Sequence, residues 1–266
     1  GNVDMTGRII ADFLTTFAIS LAFFFLYGAV TGGYTKLRKF PAEMSNAAEF
    51  SMATPNNGFM GFPVALIFFG EKGLLLMLAH NAAMNFFIFT YGMIILRRNK
   101  EEKQKTTLRS IFKALLKLIL NPNILALFIG FSISILGGII PEAVDEYLLY
   151  IGNVSTPMAM IFIGSSLEKY RFFDIIKSRL IIESSLMKLL WLPAITAAVM
   201  YFLPVDTLIK CIVVLGICFP TAATVSMLCE QENQDIGTAS KILFLSTVAS
   251  IATVPIAINI INLIFA

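Results

Sequence analysis

The chain has 266 residues, of which 57% are hydrophobic and only 14% are charged, and its mean hydropathy is +0.81. This composition excludes a soluble globular domain, because such domains carry far more charge and less apolar surface. The net charge of +3 is too small to indicate an acidic partner. We therefore interpret the chain as an integral membrane protein.

Eight apolar stretches meet the length of about 20 residues that a helix needs to cross a bilayer. They cover residues 9–31, 47–70, 74–96, 118–140, 148–167, 180–203, 211–229 and 242–265. The sequence thus predicts an all-α polytopic membrane protein with eight transmembrane helices. The longest polar gap, 97–117, is too short for a second domain, so we expect a single transmembrane domain, 1–266, with helices at 8–96 and 118–266 on either side of a cytoplasmic loop.

The basic residues predict how the chain is oriented in the membrane. Three alternate loops hold 15 of the 20 lysines and arginines, and cytoplasmic loops are the basic ones in membrane proteins. This places both chain ends outside. The loop at 230–235 departs from the pattern, since it should be cytoplasmic but carries three acids and no base. We keep the topology because acidic residues contribute little to orientation.

Two of the eight stretches are interrupted by glycine and proline. The second contains "TPNNGFMGFPVALIFFGEKG" with Pro63, and the seventh contains "GICFPTAATVSMLCEQENQD" with Pro220. Each lies between two intact apolar stretches, and the charge pattern runs them in opposite directions. Inverted units with corresponding interrupted helices indicate a secondary transporter with its binding site at the interruptions.

Proline frees the backbone of a helix, so a new half-helix can begin at Pro63 and at Pro220 with its N–H groups directed into the membrane centre. Two such helix starts favour a carboxylate or another small anion. The predicted substrate-binding residues are Asn56, Asn57, Gly58, Gly61, Pro63, Phe219, Pro220, Thr221 and Thr224. Alternatively, the glycines permit tight helix packing and the prolines are simple kinks.

Several motifs together resemble the auxin efflux carrier family, which includes bacterial organic-acid permeases for malate and malonate. They are "NNGFMGFP", "NPNILALFIGF", "GNVSTPMAMIFIGSSL" and "FPTAATVSMLCEQ". The resemblance implies a ten-helix inverted-repeat fold with two crossed broken helices, in which a transport domain moves against a scaffold. It also implies that Asn56 corresponds to the family's asparagine, and that Pro63 and Pro220 correspond to the prolines at its helix crossover. The resemblance further suggests that the chain lacks the family's first two helices. Asn57 stands where the family usually has threonine, and Thr224 where many relatives have asparagine.

Polar residues within the other stretches are further candidates, since ionisable groups in a membrane are costly unless paired or hydrated. Asp12 resembles an acidic residue of the plant members and is a candidate for proton coupling. His80, the only histidine, has either a structural role or a role in proton relay, and Asn81 and Asn85 are expected to hydrogen-bond the crossover backbone. Glu183 and Lys188 are expected to form a local ion pair or to extend toward the interface.

The predicted function is a secondary active permease that moves a small organic anion across the cytoplasmic membrane by alternating access. The bilayer, the anion and a proton as coupling ion are the expected partners, together with a homodimer as a possible assembly, and nucleic acid is not one. No cofactor, metal site or enzymatic activity is expected, since the three cysteines lack metal-ligand spacing and no P-loop is present. The alternatives are a sodium-coupled carrier of the bile-acid symporter type and an intramembrane enzyme.

Overall fold

A computed structural model describes residues 7–98, 140–167 and 172–265, together with residues 125, 129–130 and 132–133. The described chain is helical, apart from short connections. The helices are α1 Gly7–Leu37, α2 Ala42–Ala53, α3 Phe62–Phe87, α4 Met93–Arg97, α5 Glu142–Leu167, α6 Phe172–Lys177, α7 Arg179–Leu186, α8 Leu192–Phe202, α9 Thr207–Cys218, α10 Ala223–Gln231 and α11 Ile236–Phe265. The prediction of an all-helical membrane protein is confirmed at this level. The loop 97–117 beyond Arg98 and nearly all of the fourth predicted stretch, 118–140, lie outside the described residues.

Three π-helical turns join some of these helices into longer ones. The turn Asn57–Gly61 precedes α3, Ile88–Gly92 joins α3 to α4, and Met187–Trp191 joins α7 to α8. Among the described residues, four helices are long and apolar enough to cross a membrane, namely Gly7–Leu37, Asn57–Arg97, Arg179–Phe202 and Ile236–Phe265.

The helix Asn57–Arg97 is a hairpin that turns at Gly70. A straight helix of 41 residues would be about 60 Å long, twice the thickness of the hydrocarbon layer. Gly70 has a φ of +65°, which glycine adopts without strain. The two arms pack against each other, since Asn57 contacts Met84 and a Cβ on Gly61 would lie 3.3 Å from the sulfur of Met77. The predicted boundary between the second and third stretches falls at this turn.

Ion pairs define two opposite ends of the helical body. At one end Arg38 bonds Glu183, and at the same end Arg97 bonds Glu232 at 2.9 Å. We call this the basic face. At the other end, where α1 begins, Lys72 lies 2.9 Å from Asp12 and Arg8 lies 3.9 Å from Asp206.

The first group of helices, α1 to α4, and the last group, α7 to α11, run in opposite directions between these ends. α1 begins at the Arg8 end and finishes beside Arg38 on the basic face, whereas α7 begins at the basic face and α8 finishes near Asp206. In each group an intact helix precedes a broken one. The broken helix of the first group is α2 together with its continuation from Asn57, and that of the second group is α9 together with α10. This opposite direction is what a pair of inverted units requires.

The core lies between α1, α2, the hairpin and α9. Its four largest fully buried side chains among the described residues are aromatic, and Phe24 contacts both Tyr27 and Phe87 at ring-centroid distances of 5.9 Å. The Tyr27 hydroxyl shares a hydrogen bond of 2.5 Å with Thr196 of α8, so α1 is also tied to the second group of helices. These contacts tie α1 to the second arm of the hairpin and to α8.

Candidate functional site

The two broken helices cross at their interruptions. After α2 ends at Ala53 the backbone is extended through Thr54, and after α9 ends at Cys218 it is extended from Phe219 to Ala222. The Asn56 N–H donates to the Pro220 carbonyl at 2.7 Å, and the Ala222 N–H donates to the Thr54 carbonyl at 3.0 Å. Two short strands therefore pair antiparallel, with Pro55 opposite Thr221, and four helix ends meet around them.

The predicted position of the first break, at Pro63, is wrong. The break lies at 54–56, and Pro55 is the proline that faces the second break. Pro63 is the second residue of α3 and follows the π-helical turn, in which the Phe62 N–H bonds the Asn57 carbonyl five residues earlier. Because proline has no N–H, a widened turn can accommodate it without ending the helix. Pro220, in contrast, lies within the second break as predicted.

Two half-helices begin at the crossing. The first begins at Asn57 and is capped by Asn56, whose Oδ1 accepts a hydrogen bond of 3.3 Å from the Phe59 N–H. Gly58 is exposed, and a Cβ there would meet nothing within 4 Å. The second, α10, begins after Ala222, which provides no side-chain cap, and half-buried Thr224 lies in its first turn. Both starts present N–H groups and the positive ends of helix dipoles.

Two buried polar atoms beside the first break have no hydrogen-bond partner among the described residues. They are Thr54 Oγ1 and Asn57 Oδ1, on side chains that are fully buried. The Asn57 Nδ2 donates only to the Met84 sulfur, at 3.6 Å, which is a weak acceptor. A buried polar group without a partner costs about 1–3 kcal/mol, and such groups often mark the place of a ligand or a water molecule.

Other predicted site residues hold the crossing together. The Thr221 hydroxyl donates to the Ser51 carbonyl at 2.9 Å, and its N–H donates to Ser246 Oγ of α11 at 3.2 Å. Phe219 is fully buried, and a Cβ on Gly61 would lie 3.3 Å from its ring. The packing alternative that the sequence left open is thus the better account of Gly61, while Gly58 faces open space.

His80 lies in the hairpin and packs against α9. It is fully buried, its Nδ1 shares a hydrogen bond of 2.7 Å with Ser20, and its ring centroid is 5.0 Å from that of Phe24. Its Nε2 has no partner among the described residues, and the ring abuts Gly216 so closely that a Cβ there would overlap it. The ring fills the gap that the glycine leaves.

Asn81 and Asn85 flank Met84 on the same arm of the hairpin and are half-buried. Within the described part of the chain, neither side-chain amide hydrogen-bonds the crossover backbone, which was their predicted role. The neighbouring Met84, rather than either asparagine, contacts the crossover through Asn57.

Lys188 differs from expectation, whereas the role of Asp12 in proton coupling stays a prediction. Asp12 pairs with Lys72 beside the Gly70 turn, so it lies at one end of the molecule and not at the crossing. Glu183 bonds Arg38 and Arg179 on the basic face, whereas Lys188 turns into the core and donates to the Ile217 carbonyl at 3.3 Å. The expected pairing or interfacial position of Lys188 is therefore wrong. A lysine inside a 24-residue apolar helix was the signal that could have identified it.

The basic face also ties both broken helices to the end of the hairpin. Arg98 donates two hydrogen bonds, of 2.8 and 3.0 Å, to the fully buried Glu49 of α2, and this carboxylate raises the pKa of Arg98. Arg97 bonds Glu232, immediately after α10. The acidic loop at 230–235 therefore lies with the basic residues, as the predicted topology requires.

An apolar groove of about 620 Å³ lies between α8, α9 and α11. Residues such as Leu189, Pro193, Ala197, Cys218 and Ile261 line it. Its lining is mostly apolar, with Tyr201 and Thr253 as its hydroxyl residues, so it suits hydrocarbon better than an anion and is not the candidate site. No group of three or more His, Cys, Asp or Glu side chains that could hold a metal ion occurs among the described residues.

Comparison with known proteins connects this architecture to membrane transport. The family model described as "Membrane transport protein" (Mem_trans) matches residues 4–258. The chain is 24% identical over 205 residues to an uncharacterized transporter of Methanothermobacter thermautotrophicus, covering 77% of this chain and 64% of that protein. It is 30% identical over 115 residues to an uncharacterized transporter of Methanocaldococcus jannaschii, covering 42% of this chain and 35% of that protein.

Proposed function

We propose, from the premise that the chain belongs to the membrane transport protein family, that it carries a small organic anion and binds it where the broken helices cross. Family membership makes it a membrane transporter. The proposal adds a carboxylate as the substrate class, of the malate or malonate type. It also adds secondary transport by alternating access across the cytoplasmic membrane, with both chain ends outside.

One observation supports a carboxylate as the substrate class. The half-helices that start at Asn57 and Ala223 both begin at the crossing, beside the unpartnered Thr54 hydroxyl, the Asn57 side-chain amide and the open space at Gly58. A helix start carries roughly half a positive charge, and its interaction with an anion is worth about 0.3–1 kcal/mol at an exposed site and up to about 2 kcal/mol where partly buried. Two starts and one amide can therefore bind a carboxylate without an arginine or a lysine.

The rest of the proposed mechanism comes from the family resemblance. The crossing would move with its helices, as part of a transport domain, against a scaffold in a ten-helix inverted-repeat fold. Asp12 and His80 remain proposed participants in proton coupling. The chain spans 64% of the length of the first relative above and 35% of the second, so the activity of the whole protein belongs to the proposal.

Ligand-dependent thermal stability of the purified protein tests the substrate class. A carboxylate that binds the folded state at 100 times its Kd adds about 2.7 kcal/mol to the free energy of unfolding. We expect at least one member of a panel of mono- and dicarboxylates to raise the unfolding midpoint, and an uncharged amide analogue of that acid to leave it unchanged. Running the panel with sodium and with choline as the cation also tests the bile-acid type of mechanism, which requires sodium.

Two variants locate the site. Asn57→Ala removes the side-chain amide that donates to the weak acceptor Met84, and it should abolish the rise in unfolding midpoint caused by the acid. Asn259→Ala is a matched control. Asn259 is an exposed asparagine whose amide donates to the Pro255 carbonyl on α11. An unchanged response in Asn57→Ala would place the site elsewhere. A panel without any stabilising acid would refute the proposed substrate class.

A further inference from the structure

Lys188 places its amino group in the interior of the helical body. It lies in the π-helical turn Met187–Trp191, near the middle of the apolar helix Arg179–Phe202, and none of its side-chain surface is exposed. Within the described part of the chain no acidic side chain pairs with it. Its hydrogen bond goes to the carbonyl of Ile217, one residue before the end of α9. The ionisable side chains beside it are Cys218 and His80.

Burying an unpaired ammonium is costly, so its surroundings have to compensate the charge. The compensation available here is the C-terminus of α9. The last carbonyls of a helix lack intrahelical donors, and the aligned peptide dipoles place roughly half a negative charge at that end. α9 ends inside the protein because the chain breaks at Phe219, and Lys188 meets this terminus from α7 and α8.

The other half-helix that ends at the crossing is compensated differently. At the end of α2 the Ser51 carbonyl accepts a hydrogen bond from the neutral Thr221 hydroxyl, and the Thr54 carbonyl accepts one from the Ala222 N–H. The two C-termini are thus unequal, since one meets a hydroxyl and a backbone N–H and the other meets the amino group of a lysine. In carriers built from broken helices, half-helix C-termini and unwound carbonyls are the groups that coordinate a coupling cation.

We propose that Lys188 is a tethered cation that occupies the cation position at the C-terminus of α9, so that neither the fold nor anion binding at the crossing needs a free metal cation such as Na⁺. The statement about anion binding rests on the proposed function. The statement about the fold does not, because it concerns only the charge at the end of α9.

Thermal unfolding in different salts tests the proposal. The purified protein is unfolded in NaCl, KCl and choline chloride at equal ionic strength, and the midpoint of the wild-type chain should be the same in all three. Lys188→Ala should lower the midpoint in choline by roughly 5 °C or more. It should also create a cation dependence, in which Na⁺ or methylammonium restores part of the loss by entering the vacated space.

Three further variants sharpen the result. Lys188→Met keeps the length of the side chain without its charge and should lower the midpoint in choline, whereas Lys188→Arg should stay insensitive to the cation. Lys210→Ala is the matched control, because Lys210 lies at the opposite end of α9 and also donates to a carbonyl, that of Tyr201 at 3.5 Å. It should show no cation dependence.

Several outcomes would overturn the proposal. One is a wild-type midpoint that rises with Na⁺ but not with choline, and another is a Lys188→Met variant as stable as the wild type in choline. If Lys188→Ala and Lys188→Met do not fold, equilibrium binding of ²²Na⁺ to the wild-type protein tests the proposal instead. Saturable binding of ²²Na⁺ would contradict a tethered cation, and the absence of such binding would support one. A panel in which no acid binds refutes the proposed function but leaves these stability results intact.

Discussion

The contact between Gly216 and His80 allows a prediction whose size follows from the geometry. A Cβ built on Gly216 would overlap the Cδ2 and Nε2 atoms of His80 and lie 3.0 Å from its Cε1. The ring cannot swing aside freely, because it is fully buried, bonded to Ser20 and packed against Phe24. Gly216→Ala must therefore displace the imidazole or separate the hairpin from α9.

Overpacking of a core costs about 1–3 kcal/mol, and the loss of the 2.7 Å hydrogen bond to Ser20 adds about 1 kcal/mol. The sum of about 2–4 kcal/mol corresponds to a fall of roughly 5–15 °C in the unfolding midpoint of a chain of this size. A thiol-reactive dye can follow unfolding, because Cys211, Cys218 and Cys229 are all free and buried.

Gly33→Ala is the control for helix propensity, since Gly33 is also helical and a Cβ there would meet nothing within 4 Å. It should leave the midpoint unchanged or raise it slightly. His80→Ala in the Gly216→Ala background should recover part of the loss, because the clash is removed. A Gly216→Ala protein as stable as Gly33→Ala would refute the packing of the hairpin against α9.

Three further predictions concern single hydrogen bonds and ion pairs that join different parts of the chain. Thr221→Val removes the hydroxyl that donates to the Ser51 carbonyl and should lower the free energy of unfolding by about 1–3 kcal/mol. The control Thr207→Val, at the exposed start of α9, should change the free energy of unfolding little. Equal effects of the two substitutions would contradict the bridging role of Thr221. Arg98→Met leaves the fully buried Glu49 carboxylate unpaired and should cost about 3 kcal/mol in denaturant titrations, with Glu49→Gln in the same chain restoring much of it. Arg8→Ala removes an ion pair in which Arg8 is 80% exposed, so it should cost less than about 1 kcal/mol, and a larger loss would contradict the assignment of Arg8 to the surface.

The coarse architecture could be predicted because it depends on properties that a single sequence carries. Apolar length, the basic loops and the Gly-Pro interruptions led to the helical membrane class, to the turn near Gly70 and to the meeting of the second and seventh stretches. Each of these signals is local, or is a sum of local signals along the chain. The pairing of the two breaks was predicted from their Gly and Pro interruptions, from their corresponding positions between intact stretches and from their opposite directions.

The details of the site could not be predicted, because they depend on contacts between distant residues. Pro55 and Pro63 both lack a backbone N–H and so have the same local effect on a helix. Only pairing with the extended segment at 219–222 determines which of the two lies in the break. Similarly, Lys188 could extend to the interface or turn inward, and the choice depends on the carbonyl of Ile217 at the end of α9. The bond from Thr221 to Ser51 joins residues 170 positions apart.

The most direct test of the account is a disulfide across the crossing. Pro55→Cys and Thr221→Cys are introduced together into a chain whose three native cysteines are alanine, with a protease site placed in the predicted loop 97–117. Opposed residues of antiparallel strands have Cα atoms about 4.5–5.5 Å apart, which suits a disulfide. The account predicts that after oxidation and cleavage the two fragments stay linked until they are reduced. Fragments that separate without reductant, or that link more readily through Pro63→Cys with Thr221→Cys, would contradict it.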